Sequence, residues 1–224
     1  MPPDSTQNSI QASFQPQPPG APVQACAAGG PTTGLGADVD ALAAKSPTMQ
    51  GNLEKLAASK WTIEYGAAGK GSYCNRDTKT IVVDENEKGH PDQVLQTLSH
   101  ESGHALYTPD AYVPPAGLTR QEYVAKNVNS ALKDEGEATL TNAQVRKEIL
   151  DNGGSDIGVA GAQGAKYEQL AAQYPDAGDR DVARQKIGDL FADGEHPSTS
   201  PTDTYRDYYS KPYSDFYDKQ KKGP

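Results

Sequence analysis

Apolar residues first recur at helical spacing after Asp38, at Val39, Leu42 and Ala43, and again after Ser46-Pro47, at Met49, Leu53, Leu56 and Ala57; two short helices are expected. Trp61 to Tyr65 alternates apolar and polar, and Gly66 to Gly71 reads as a turn. Ser72-Tyr73-Cys74 then leads through Asn75-Arg76-Asp77 into Thr80-Ile81-Val82-Val83-Asp84. This is the pattern of a small, mainly antiparallel sheet. A polar loop from Asp84 to His90 precedes Pro91-Asp92, a helix start, because proline at the first helical position loses no needed donor. In that helix Val94, Leu98 and Ala105 fall in one arc with Leu95 beside them, and His100 and His104 lie nearly opposite. One face is expected on the sheet and the other at a cleft. Residues 108–118, with Pro109, Pro114 and Pro115, read as a loop. From about Thr119 to Leu150 one helical phase runs through Val124, Val128, Ala131, Leu132, Ala138, Val145 and Ile149. Further helices are expected over Ala165 to Tyr174 and Asp179 to Phe191. The closing stripe Tyr205, Tyr209, Tyr213 and Phe216 is expected to pack. The predicted class is α+β, mostly helical, with the sheet ahead of the histidine-bearing helix.

Composition changes this picture mainly at the start of the chain. Residues 1–36 hold Pro2, Pro3, Pro16, Pro18, Pro19, Pro22 and Pro31 among Gln, Ser, Gly and Ala, too little apolar surface to offset the entropy of ordering. A disordered arm over 1–36 and a single domain over 37–224 are expected. With 21 basic against 30 acidic residues and a net charge of −9, the chain lacks the clustered cations of a phosphate-tracking nucleic-acid binder. No apolar run approaches the roughly 18 to 20 residues of a membrane span. The first basic residue is Lys45, so no classical cleaved leader is expected, and any export is expected to use a dedicated apparatus or a carrier. Cys26, in the arm, and Cys74, in a strand, leave a disulfide open, as they do a Cys26 thiolate capping a metal.

The candidate chemistry sits at His100-Glu101-Ser102-Gly103-His104. Residues four apart on a helix stack on one face, so both imidazoles reach one cation while the glutamate addresses the water it holds. The third ligand comes from helical phase. Glu135 lies in the middle of the apolar face of the long helix, where a carboxylate is costly unless protonated, paired or metal-bound. Asp134 and Glu137 read as solvated members of the charged run 133–137. Three protein ligands and an open fourth position describe a catalytic zinc site, one ion per chain. Glu101 is then the general base, passing its proton to a leaving amine. Candidates to stabilise the oxyanion are Tyr167, Tyr174, Tyr205, Tyr208, Tyr209 and His196. His196 is also a weaker alternative third ligand, and His90 reads as a surface or capping residue.

With the motif helix after a short sheet, and Asp134-Glu135-Gly136 on the following helix, residues 61 to 150 resemble the gluzincin class of zinc metallopeptidases. The resemblance implies a zincin-like fold, Glu135 as third ligand, and a substrate strand added along Thr80 to Asp84. Where that class carries an acidic residue one turn further on, this chain has Thr139; Thr139 or Asn142 is the candidate to orient a histidine. The size and the proline-rich arm are similar to metallopeptidase effector toxins that bacteria deliver through contact-dependent or type VI secretion. This implies a bacterial protein, cytoplasmic in its producer, acting on a peptide, protein or peptidoglycan peptide, with an immunity or carrier protein as partner. The competing readings are an inert peptide-binding relative and a metal-free helical adaptor. The presence of Glu101 argues against the first and the position of Glu135 against the second.

Overall fold

The computed structural model describes residues 30–175, 177–197 and 200–222. In chain order the elements are α1 (Ala37–Ala43), α2 (Pro47–Ala58), β1 (Thr62–Tyr65), β2 (Tyr73–Asn75), β3 (Thr80–Val83), α3 (Pro91–Leu106), α4 (Arg120–Asp151), α5 (Gly164–Gln173), α6 (Arg180–Gly194) and α7 (Tyr205–Lys222). The starts follow local chemistry. Ser46 accepts from the Met49 amide with Pro47 in the first turn of α2, and Thr119 with Glu122 forms a reciprocal capping box at the head of α4. His90 stands before α3, exposed, with no capping bond from its side chain.

The sheet is mixed rather than mainly antiparallel, in the order β1-β3-β2. The tight turn after β2, where Asn75 Oδ1 accepts from the Asp77 and Thr78 amides and Lys79 takes φ 52°, pairs β2 with β3 antiparallel. β3 is the most apolar strand, with Ile81, Val82 and Val83 all buried. It therefore takes the middle and pairs β1 in parallel on its other edge. Both edges of β3 are occupied, so it cannot accept a substrate strand as expected. The open edges belong to β1 and β2.

Two apolar cores flank α4. One gathers Leu35, Val39, Met49, Leu53, Leu56, Ile81, Val83, Val94, Leu95 and Leu98 with Val145 and Ile149 from the end of α4. The other joins Val128, Ala131, Leu132 and Leu140 to Tyr167, Ala183, Ile187, Phe191, Tyr205 and Tyr209. The single expected apolar phase of α4 is thus two faces serving two cores. The body also begins earlier than residue 37. Leu35 is buried, Tyr65 donates to its carbonyl, and Thr33 donates to Asp40 from both its amide and its hydroxyl. Most of the expected arm, residues 1–29 with Cys26, lies outside the described residues. Cys74 is buried in β2. Among the described residues no helix is long and apolar enough to cross a membrane.

Candidate metal centre

The centre forms where α3 and α4 cross. His104 faces Asp134, Gly103 faces Ala138 and Thr141, and Ser99 faces Asn142, so the two helices run antiparallel. Gly103 permits the approach. A Cβ there would lie 2.6 Å from the Ala138 Cα, closer than any side chain tolerates. The second variable position of the motif is therefore set by the closeness of the helix crossing.

From this crossing His100 and His104 turn their Nε2 atoms toward one carboxylate oxygen, Glu135 Oε2, at 3.7 and 3.5 Å. The rings are edge to face with centroids 4.9 Å apart, and the three ligand atoms all lie within 4.8 Å of one another. Glu135 Oε1 accepts a 2.6 Å hydrogen bond from the Tyr209 hydroxyl, while Oε2 is buried without a hydrogen-bond partner among the described residues. A buried carboxylate oxygen left unpaired is costly, and a cation between the three atoms would satisfy it. Tetrahedral coordination at about 2.0–2.1 Å separates neighbouring ligand atoms by about 3.3 Å, close to the 3.7 and 3.5 Å from the two histidines to Glu135. The buried group His100, His104 and Glu135 can hold a metal ion.

The electrostatics agree with that arrangement. Burial alone would raise the Glu135 carboxyl, but His104 and His100 outweigh it and hold it well below the usual range. Burial alone would lower His104, and Asp134 and Glu135 outweigh it, raising His104 well above an ordinary histidine. Glu101 is raised, first by burial, which His104 and His100 oppose and Glu135 and Asp134 reinforce. Its carboxylate makes no hydrogen bond among the described residues.

The charged run on α4 is not solvated. Asp134 is fully buried and accepts from His104 Nδ1 at 2.9 Å and from Arg76 Nη2 at 2.7 Å on the same oxygen, Oδ1. Glu137 is largely enclosed and bridges Arg180 at 2.6 Å and Arg184 at 2.9 Å. Both expectations failed because α4 is covered on two sides, so a residue off one apolar face still meets another helix. Asp134, rather than Thr139 or Asn142, is the residue that orients a histidine. Thr139 Oγ1 is buried without a hydrogen-bond partner among the described residues, and Asn142 bonds Ser99, the Gly158 carbonyl and the Ala160 amide.

Of the six oxyanion candidates, Tyr209 is engaged with Glu135. Tyr205 is buried, with no hydrogen bond from its hydroxyl among the described residues. Its hydroxyl is raised by burial, then by Glu135 and Glu101. Tyr208 packs its ring against Tyr205 and Tyr209. The other three are not brought to the metal group: Tyr167 donates to Glu195, Tyr174 lies under Lys186, and His196 is exposed against the Asp203 carbonyl, which also removes it as a ligand. Nor does the histidine face open broadly. Leu98 to His104 are all buried, because α4 covers the side expected to face a cleft. Arg76, read from sequence as a turn residue, reaches the centre from the β2–β3 turn, and no periodicity marks it.

In comparison with known proteins, the chain matches no family model, no curated protein and no solved structure.

Proposed function

We propose that the chain is a zinc-dependent peptidase or amidase with a zincin-like, gluzincin-type arrangement. The observation that carries the reading is the convergence of His100 Nε2, His104 Nε2 and Glu135 Oε2 on one point, with the unpaired carboxylate of Glu101 one residue from His100. When bound there, zinc supplies a Lewis acid and brings the pKa of a water toward neutrality.

The chain's own groups would do the rest. Glu101, raised by burial, is suited to take a proton from the attacking water and deliver it to the leaving amine. Tyr205, whose hydroxyl makes no hydrogen bond among the described residues and is raised in part by Glu135 and Glu101, is suited to donate to the developing oxyanion. Tyr209 fixes Glu135 through Oε1 and leaves Oε2 to the metal. The substrate class is a peptide, within a protein or a peptidoglycan stem, and the context is a bacterial effector toxin, with an immunity or carrier protein as partner.

The same burial supports a second reading, a metal that ties α3 to α4 without chemistry. Glu101→Gln separates the two. Metal analysis of purified protein is expected to find about one zinc per chain in both the wild type and the variant. Hydrolysis of peptidoglycan peptides or of a protein mixture is expected to fall at least about 100-fold in the variant alone. A zinc-loaded wild type that cleaves neither substrate would leave the structural reading standing.

A further inference from the structure

The last carbonyls of a helix have no intrahelical donor, and in α3 one of these belongs to His104, itself a candidate ligand. Arg76 fills that vacancy. Its Nη2 and Nε donate to the His104 carbonyl at 2.6 and 3.1 Å, and Nη2 also reaches Asp134 Oδ1 at 2.7 Å. That same Oδ1 lies 2.9 Å from His104 Nδ1. One guanidinium therefore grips one residue twice, at its backbone and, through Asp134, at its ring.

We infer that Arg76 is a positioning residue for the metal centre, keeping His104 in the tautomer that carries its proton on Nδ1 and presents Nε2 to the ion. The inference rests on the metal reading above. Asp134 is buried, its second oxygen has no partner, and Arg76 is the only arginine or lysine paired with it among the described residues. An uncompensated buried carboxylate is strongly disfavoured. Without Arg76 the Asp134 side chain would turn toward water, and the ring of His104 would lose both its acceptor and its fixed orientation. A lysine offers a point charge but not the planar fork that serves two acceptors at once. The device also ties the β2–β3 turn to the metal-bearing helix.

The test uses the full chain with zinc as the probe. Zinc affinity is measured by chelator competition, and the ring nitrogens of His104 are read by ¹⁵N NMR in the zinc-loaded protein. In the wild type, Nδ1 is expected to carry the proton. Arg76→Met is expected to lower zinc affinity about 10- to 100-fold and to blur the His104 signature, with Arg76→Lys between the two. Arg146→Met is the control. Arg146 is comparably ion-paired, to Asp156 and Glu168 at 2.6 and 2.8 Å, but away from the centre. It is expected to move neither readout. Should the Met variant fail to fold, the Lys variant carries the test. Wild-type affinity and an unchanged His104 signature in an Arg76 variant would overturn the positioning role alone, whereas a wild type that binds no zinc would overturn the metal reading itself.

Discussion

Glu135 and Glu137 are two residues apart on one helix and meet opposite fates. Glu135 turns its free oxygen to two imidazoles, whereas Glu137 is held by two arginines on the α6 side. Glu135→Ala is therefore expected to abolish stoichiometric metal binding. Glu137→Ala is expected to leave metal content intact while costing about 1–3 kcal/mol of stability, read by denaturant unfolding, because it strands two partly buried guanidinium groups. The acid–base behaviour at this scale has a definite sign. His104 is raised above its ordinary 6.5, so in the metal-free protein its pairing contributes stability fully below that pH and loses it as pH rises through the raised value. Glu135 is depressed below its ordinary 4.5, so its contribution is present above that pH and is lost only as pH falls through the depressed value. A metal must displace the proton that His104 holds. The rise in melting temperature on adding zinc is accordingly expected to be larger at pH 8 than at pH 6.

At the scale of elements, α4 decides the architecture, and glycines let it do so. Gly103 admits the backbone of α4 to the motif helix. On the other side, a methyl at Gly136 would overlap the Arg184 carbonyl, and one at Gly188 would overlap the Leu132 carbonyl, so α4 and α6 touch backbone to backbone. Overpacking a core by a methyl costs about 1–3 kcal/mol where side chains can move. Here the obstacle is main chain, and Gly136→Ala is expected to reach or exceed the top of that range by equilibrium unfolding. Gly103→Ala should add a loss of metal affinity, because any shift of α3 from α4 spreads His100 and His104 away from Glu135. The helix starts were legible in the residues, since Pro91, Ser46 and Thr119 act locally. The pairing of β1 with β3 was not, since it depends on which strand wins the central position.

For the whole molecule, the candidate ligands come from two helices, and their support comes from Asp134 on one of these, α4, and from two further places, Tyr209 on α7 and Arg76 in the β2–β3 turn. Metal is therefore expected to be linked to global stability. At 100 times its dissociation constant a ligand contributes about 2.7 kcal/mol, equivalent to roughly 5–10 °C in the melting temperature of a domain this size. Chelation should lower the melting temperature by about that much, as followed by circular dichroism. The residues alone determined the motif helix, the apolar phase that singled out Glu135, and the mostly helical α+β class, because each follows from periodicity and capping within one segment. Only the tertiary structure decided that Asp134 is buried against His104, that Arg76 reaches the centre, that β3 lies inside the sheet, and that the histidine face is covered. Those outcomes depend on which surfaces of distant segments meet, and helical phase gives the direction in which a side chain points without saying what will be packed there.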